Sequence, residues 1–245
     1  MSETQSREVQ LGRLFVRLAD NLVGDFDVVE LLDDLVASCV DLLDATAAGL
    51  MLSDQQGTLR VMAASSEETR LLELFELQNK QGPCLDCFRT GEAIVAVTED
   101  EQAARWPTFA PLLRKNAFGA VYAIPLRLRT ETIGALNLFG RPGGPLPADE
   151  VQIGQAMADV ATIAVLQHRA IEAGERLTAQ LQTALNSRIA IEQAKGVLAQ
   201  HAGIDMDEAF KALRNHARGS NLRLSDVATA IATGRLDPRT IAASE

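Results

Sequence analysis

The sequence predicts an α/β domain, a sheet with flanking helices, followed by a long coiled-coil helix and a small all-α domain of three helices. Three observations predict this order. Short apolar runs separated by turn or charged residues fill much of the chain up to Phe139, as is typical of strands. No proline occurs between Pro147 and Pro238, and Ala, Gln, Leu, Ile and Glu dominate the first part of that interval. Two short amphipathic segments then close the chain.

The N-terminal region is expected to begin with a flexible tail over residues 1–13. Apolar residues at helical spacing then predict two amphipathic helices around a break at Gly24 and Asp25. The residues that carry this pattern are Leu14, Leu18, Leu22, Leu31, Leu32, Leu35, Val36, Val40 and Leu43.

Five apolar runs predict the strands of the sheet. They are Ala47–Leu52, Leu59–Ala64, Ile94–Val97, Ala120–Leu128 and Thr132–Phe139. A short polar connection separates the last two runs, so we expect them to form a hairpin. Apolar residues at helical spacing predict one helix over Glu67–Gln78 and another over Trp106–Asn116.

An apolar residue recurs every seven positions along the region that follows Pro147. The repeating residues are Ile163, Ala170, Leu177, Ala184, Ile191 and Leu198, with Leu181 in the interleaved row. This spacing is typical of a coiled-coil seam. A helix of roughly 50 residues is too long to bury itself in a small domain, so we expect dimerisation through it. The alternative is two separate helices broken at Gly174.

The C-terminal region predicts two further helices. Asp205 and Glu208 have the spacing of a capping box, and Ser225 is a suitable N-cap for the last helix. The chain is therefore divided into a sheet domain, a helical linker, a helical domain and a tail. The expected boundaries are 14–167 for the sheet domain, 168–180 for the linker, 181–236 for the helical domain and 237–245 for the tail.

Charge is distributed unevenly along the 245 residues, whose net charge is −10. Residues 1–180 contain 15 Lys and Arg against 26 Asp and Glu, whereas residues 181–236 contain 7 against 5. We therefore expect any polyanionic partner at the C-terminal domain. The chain has no run of eighteen apolar residues, and its first residues do not resemble a secretory signal. These features predict a cytoplasmic protein with no membrane partner.

Basic residues of the C-terminal domain are predicted to share helix faces because they lie three, four or seven positions apart. Gly196 follows one of them and would allow a backbone or a ligand to approach closely. The pattern indicates a polyanion site. The alternative is a solvated helix face on which Gly196 only permits tight helix packing. The basic residues are Arg188 and Lys195 on the long helix, and Lys211, Arg214 and Arg218 on the next.

The same region resembles the ANTAR family. The resemblance rests on Ala184–Leu198, which contains the string Ala-Lys-Gly, on Asp207–Arg214, on Asn221 and on Leu224–Ala228. It covers roughly residues 177–236. The resemblance implies a three-helix domain that binds RNA hairpins in nascent transcripts and prevents transcription termination. The one aromatic residue of the region, Phe210, offers no stacking platform, so recognition would rest on Arg and Lys.

Residues 14–167 resemble a GAF domain, a sheet with helices on its faces that often binds a small molecule. The resemblance rests on the predicted hairpin, on Gly82–Ile94 and on Arg105–Pro107. All three histidines of the chain lie at or beyond the end of this domain, so we do not expect a haem held by histidine. The cofactor and the signal stay unknown.

Four residues of the sheet domain are candidates for sensing, namely Cys84, Cys87, Trp106 and Tyr122. The two cysteines form a Cys-x-x-Cys motif that would be redox-active if a helix N-terminus lowered a thiol pKa. The two aromatic residues could line a pocket. For all four, the alternative is packing in the core. We predict no metal site, because Cys39 supplies at most a third ligand.

These observations predict a signal-responsive transcription antitermination regulator. A GAF sensor would control an RNA-binding ANTAR domain through a homodimeric coiled coil, and the dimer would engage paired RNA hairpins. No nucleophile–base spacing and no phosphate-binding loop is recognisable, so we expect no enzyme. Two alternatives stay open: a thiol-based redox sensor or oxidoreductase at Cys84 and Cys87, and a DNA-binding transcription regulator.

Overall fold

The computed structural model describes residues 7–20, 27–54 and 56–242. The chain divides into two compact units, with the boundary between Ala170 and Ile171. The first unit contains an antiparallel sheet with flanking helices, and the second is helical. The predicted fold class is confirmed, including a long helix followed by shorter ones.

Five strands form one antiparallel sheet in the order β2-β1-β5-β4-β3. The apolar runs predicted every strand to within one residue at each end. The predicted hairpin is confirmed by the pairing of β4 with β5, and Arg129 has a φ of 57° in its turn. The strands are β1 Ala47–Ser53, β2 Leu59–Ala64, β3 Ile94–Ala96, β4 Ala120–Leu128 and β5 Glu131–Gly140.

Side chains of the strands alternate between two hydrophobic clusters, one on each face of the sheet. In β1, Ala48, Leu50 and Leu52 belong to the first cluster, whereas Ala47 and Met51 belong to the second. Helices cover both faces, and β1, β4 and β5 are therefore buried on both sides over most of their length.

Two N-terminal helices and the beginning of the long helix α7 pack on the first face of the sheet. Helix α1 spans Arg7–Asp20, and α2 spans Val28–Leu42. Asp27 is the N-cap of α2, because its side chain accepts a hydrogen bond from the backbone nitrogen of Val29. The predicted break at Gly24 and Asp25 lies outside the described residues.

The predicted tail over residues 1–13 is wrong from Arg7 onward, because α1 begins there. Leu14 and Leu18 are one turn apart and both are buried, so they hold the helix on the core. The Arg7 guanidinium also lies 2.6 Å from Glu150 Oε1 and donates a hydrogen bond to the carbonyl of Leu42. These contacts stabilise the first turns of α1, which precede its first buried residue, Leu14.

Four helices cover the second face: α3 Glu67–Asn79, α4 Pro83–Thr90, α5 Glu99–Arg105 and α6 Ala110–Lys115. The sequence predicted α3 but not α4 or α5, which are short. It also started the helix of Trp106–Asn116 too early, because Trp106 is the C-cap of α5. A capping box between Thr98 and Glu101 begins α5, and this signal was available in the sequence.

Helix α7 spans Ala148–Ala202, a length of 55 residues, and it continues through Gly174. The alternative of two helices broken at that glycine is therefore wrong. Of the predicted seam, Leu177 and Leu181 are 56% and 63% exposed in the single chain. Leu198 instead lies in the core of the second unit, so the seam does not extend over the last turns of α7.

The second unit contains the end of α7 and three shorter helices: α8 Met206–Gly219, α9 Leu224–Ala232 and α10 Arg239–Ala242. The capping box of Asp205 and Glu208 is confirmed. Ser225 is not the N-cap of α9, because the helix begins one residue earlier and Arg223 occupies that position. The predicted tail over 237–245 is wrong at α10, where Ile241 packs into the core. No helix among the described residues is long and apolar enough to cross a membrane.

Candidate functional site

Lys195 lies between two helices of the second unit rather than free on its surface. Its side chain is only 16% exposed. The ammonium lies 2.9 Å from Glu192 Oε2 on the same helix and 5.8 Å from the centre of the Phe210 ring on α8. The ion pair and the cation–π contact therefore fix Lys195 in place and neutralise part of its charge.

Gly196 leaves open space on α7. An ideal Cβ built at this position would meet no atom of the chain within 4 Å. Packing inside the unit therefore does not require a glycine here, and the alternative of tight helix packing within the chain is wrong. A glycine in a helix interior costs roughly 0.5–1 kcal/mol relative to alanine, so its presence on an exposed surface calls for another reason.

The three basic residues of α8 lie on one exposed face, opposite the buried Ala209 and Leu213. Within the described part of the chain, none of the three takes part in an ion pair. They are Lys211, Arg214 and Arg218. The structure therefore gives α8 an unneutralised positive face, as the spacing predicted.

The contact between Lys195 and Phe210 brings the two predicted basic sets together. Arg214 follows Phe210 by four residues and so lies on the same side of α8. Arg188 is exposed two turns before Lys195 on α7. We call Arg188, Lys195, Gly196, Lys211, Arg214 and Arg218 the basic face.

A cavity of about 950 Å³ adjoins the basic face. Lys211 lines it, together with Glu208, Asn215 and Ser220. These side chains offer both hydrogen-bond donors and acceptors. Sequence reasoning missed this cavity, because its walls come from the ends of α7 and α8 and from the terminal helix α10, which was not predicted.

In the first unit, Cys84 and Cys87 lie on α4, and both are fully buried. The motif is at the start of a helix, which is the position that the redox alternative required, with Pro83 in the first turn. The pKa of both thiols is nevertheless raised, mainly by burial, and to about 12 for Cys87. A thiolate nucleophile is therefore disfavoured, and the geometry argues against the redox alternative. Cys39 belongs to the opposite cluster and joins neither cysteine.

Two buried carboxyl groups, which no pattern in the sequence indicated, lie beside Cys84. Burial raises the pKa of Glu73 to about 7, and burial together with the charge of Glu73 raises the pKa of Glu76 well above its usual range. Asn137 Nδ2 donates a hydrogen bond of 2.9 Å to Glu73 Oε1. The available signal was Asn137 itself, a polar residue within the apolar run of β5.

The remaining sensing candidates do not form one pocket with the cysteines. Trp106 is buried in the same cluster, and its Nε1 donates a hydrogen bond of 2.8 Å to Asp86 of α4. Tyr122 lies on the other face of the sheet, where its hydroxyl accepts a hydrogen bond from the backbone nitrogen of Leu146. A cavity of about 570 Å³ in this unit has Ser53, Thr132 and Arg169 among its lining residues and none of the four candidates.

The first unit is thus a five-stranded antiparallel sheet between helices, and the second is a helical unit with a basic face. The family model of the GAF domain matches residues 27–166, and that of the ANTAR domain matches residues 179–231. The chain therefore belongs to the GAF domain family and carries an ANTAR domain after the GAF domain. Neither is a catalytic family.

Solved structures support the GAF fold. The GAF domain of a phosphoenolpyruvate-protein phosphotransferase from Coxiella burnetii is 16% identical, with a TM-score of 0.53, covering 69% of this chain and 99% of that one. A GAF domain/HD domain protein from Geobacter sulfurreducens is 20% identical, with a TM-score of 0.50, covering 60% and 97%. At these identities the likeness concerns the fold alone. No curated protein matches the chain in sequence.

Proposed function

We propose that this chain is a signal-responsive transcription antitermination regulator. Its ANTAR domain binds RNA hairpins in nascent transcripts, and its GAF domain controls that binding. The protein acts in the cytoplasm as a homodimer and has no enzymatic activity. The bound hairpins prevent the competing terminator from folding.

Gly196 carries the RNA-binding part of this proposal. Its open surface follows Lys195 on the solvent side of α7, so a phosphate backbone can approach α7 without meeting a side chain at that point. The basic side chains of α8, which form no ion pair among the described residues, would contact other phosphates of the same RNA. The chain as a whole has a net charge of −10, so the positive charge of the basic face contrasts with the rest of the protein.

Exposed leucines on α7 support the homodimer. Leu177, Leu181 and Leu185 are each more than half exposed in the single chain, and they lie on one side of the helix. Large apolar side chains that recur along one exposed helix side mark an interaction surface. A second copy of the same helix is the partner that heptad spacing favours.

The experiment is a binding titration of the full chain with an RNA that carries two adjacent short hairpins. DNA of the same sequence runs in parallel, and both are measured at two salt concentrations, because phosphate contacts weaken as salt rises. We expect RNA-selective binding that falls with salt. Arg188→Ala and Arg214→Ala each weaken it, whereas the control Arg235→Ala, after the end of α9, leaves it unchanged.

Each other outcome overturns a defined part of the proposal. Equal binding of DNA and RNA favours the DNA-binding alternative. RNA binding that is unaffected by both arginine variants places the contact surface elsewhere. No binding of either nucleic acid at low salt contradicts the RNA-binding function itself.

A further inference from the structure

Three potential metal ligands meet in the second hydrophobic cluster of the GAF domain. Glu73 and Glu76 lie on α3, and Cys84 lies on α4. One ligand atom from each lies within 4.8 Å of the other two, and all three side chains are buried. Tetrahedral coordination of zinc by oxygen and sulfur needs separations of about 3.3–3.6 Å between ligands, so metal binding would draw these side chains closer together.

Three oxygen atoms at this cluster have no hydrogen-bond partner although they are fully buried. They are Glu73 Oε2, Glu76 Oε2 and Asn137 Oδ1. The other oxygen of each glutamate is occupied: Glu73 Oε1 accepts from Asn137, and Glu76 Oε1 accepts from the backbone nitrogen of Leu85 at 2.8 Å. In each carboxyl group, a hydrogen bond to Oε1 fixes the orientation, while Oε2 has no hydrogen-bond partner. Unpaired buried polar atoms are costly, so this arrangement points to a ligand.

Two glycines provide the space that the carboxyl groups occupy. A Cβ at Gly49 would overlap Glu73 Oε1, and a Cβ at Gly82 would overlap the carboxyl end of Glu76. Gly49 lies on β1 and Gly82 is the N-cap of α4, so separate elements make room for the same cluster. The core therefore contains space that fits the two carboxyl groups, and their burial is part of the fold.

No protein cation balances the two carboxyl groups. Among the residues that the structure describes, no Lys, Arg or His forms an ion pair with Glu73 or Glu76. Buried carboxylates in proteins are paired with a positive charge or coordinate a metal. Protonation is the competing solution, because a proton shared between the two carboxyl groups would satisfy their free oxygens, but it would still leave Asn137 Oδ1 without a donor.

We propose that Glu73, Glu76 and Cys84, with Asn137 Oδ1 as fourth ligand, bind one divalent transition-metal cation of the zinc class. A sulfur ligand among carboxyl oxygens selects this class over Mg²⁺ and Ca²⁺, which take oxygen ligands in larger number. On binding, the Cys84 thiol and any protonated carboxyl group of Glu73 or Glu76 would release their protons to solvent, and the sulfur and the carboxyl oxygens would form the bonds to the metal. This proposal differs from the expectation, drawn from the sequence, that the chain has no metal site.

The bound cation would join three elements of the sensor domain. Two ligands come from α3, one from α4 and one from β5, which lies in the middle of the sheet. Metal binding would therefore fix α3 and α4 to the sheet. This inference goes beyond the proposed function, and its test reads metal binding alone, so it can fail or succeed whether or not the chain binds RNA.

The experiment titrates the full chain with Zn²⁺ after removal of metal by a chelator. We expect one Zn²⁺ per chain and no comparable binding of Mg²⁺. Cys84→Ser and Glu76→Gln each weaken Zn²⁺ binding by about 100-fold or more, because loss of an outer-shell partner alone weakens metal binding by about 10- to 100-fold. Substitution by Co²⁺ gives a thiolate-to-metal absorption band that is present in the parent chain and absent in Cys84→Ser.

Two matched cysteine variants are the controls. Cys87→Ser changes the other cysteine of the Cys-x-x-Cys motif, and Cys39→Ser changes a buried cysteine of the opposite cluster. Both are expected to retain Zn²⁺ binding and the Co²⁺ band. Far-ultraviolet circular dichroism of each metal-free variant verifies that it is folded. If a ligand variant does not fold, Glu73→Gln replaces it as the test of a lost ligand. Absence of stoichiometric Zn²⁺ binding by the parent, or equal loss in the Cys84 and Cys39 variants, overturns the proposal.

Discussion

Lys195 makes two contacts inside its own domain. A mutation at this position therefore affects the stability of the domain as well as RNA binding. Its ammonium pairs with Glu192, and it lies over the Phe210 ring. Arg214, by contrast, is exposed and has no ion-pair partner among the described residues. Loss of RNA binding in a Lys195 variant can therefore arise from a loosened domain as well as from a lost phosphate contact.

We expect Lys195→Ala to lower the free energy of unfolding of the C-terminal domain by about 1 kcal/mol, because it removes both contacts. Arg214→Ala is expected to change this free energy by less than about 0.5 kcal/mol, as is usual for surface residues. Urea unfolding followed by circular dichroism measures both. Lys195→Met, which keeps the apolar stem over Phe210, is the matched control and should recover part of the stability. Equal destabilisation by both alanine variants would contradict this division of roles.

The buried pair Glu73 and Glu76 makes the stability of the metal-free protein depend on pH. Burial raises the pKa of Glu73 from 4.5 to about 7, so the folded chain binds a proton more tightly than the unfolded chain. The stability from this group is full below pH 4.5 and is lost as the pH rises through about 7. The raised pKa of Glu76 extends the loss to higher pH.

With a chelator present, we expect the free energy of unfolding of the GAF domain to fall between pH 5 and pH 8. For Glu73 alone, the fall is on the order of 3 kcal/mol. Glu73→Gln, which stays neutral, should flatten the dependence. The measurement is urea unfolding at a series of pH values, with Glu101→Gln, an exposed carboxyl on α5, as a comparison. A stability that rises over this interval would contradict the assigned burial of the pair.

At the scale of the element, α7 contains two glycines with open surroundings. A Cβ at Gly174 or at Gly196 would meet no atom of the chain within 4 Å. Both lie within a continuous helix, so alanine at either position should stabilise that helix by roughly 0.5–1 kcal/mol. Gly196 belongs to the basic face, whereas Gly174 lies seven residues before Leu181, in the interleaved row of the predicted seam.

Gly196→Ala is therefore expected to raise stability and to weaken RNA binding, because its methyl group occupies the space that the RNA backbone enters. Gly174→Ala is the matched control, with a similar gain in stability and unchanged RNA affinity. Thermal unfolding and the RNA titration measure the two effects on the same preparations. If both alanine variants bind RNA like the parent, the open surface at Gly196 is not a contact site.

The sequence predicted the elements that carry strong apolar periodicity and missed those that depend on tertiary contacts. Apolar runs gave the five strands closely, because β1, β4 and β5 are buried on both faces over most of their length and the edge strands β2 and β3 are also mostly apolar. Helices α4 and α10 are short and are stabilised by neighbours that the sequence does not reveal. Helix α5 was also missed, although the capping box of Thr98 and Glu101 was a signal for it that the sequence contains.

The sequence predicted the basic face but not the buried carboxyl cluster, because only the first depends on local spacing. The basic residues of α8 share a face through local helical spacing, which the sequence shows directly. The cluster of Glu73, Cys84 and Asn137 joins residues up to 64 positions apart, and only the folded sheet brings them together. Long-range contacts of this kind leave no periodic signal in a single sequence.

At the scale of the whole molecule, the exposed apolar side of α7 determines the expected assembly. Leu177 and Leu181 lie 40° apart around the helix, at about 100° per residue. Leu198, which continues the heptad in the sequence, is buried in the ANTAR core. The dimer contact is therefore expected on the central part of α7, and the ANTAR domain keeps its own core.

Leu177→Glu combined with Leu181→Glu should convert the dimer to a monomer, because two charges would have to be buried in the seam. Sedimentation equilibrium measures the change as a halved mass. The matched control is Ala179→Glu, about 200° around the helix from Leu177, which adds a charge on the opposite side and should leave the dimer intact. A parent chain that is already monomeric at micromolar concentration would contradict the homodimer. If the double variant is monomeric but binds a single RNA hairpin as tightly as the parent, each basic face binds independently and the dimer serves to engage two hairpins at once.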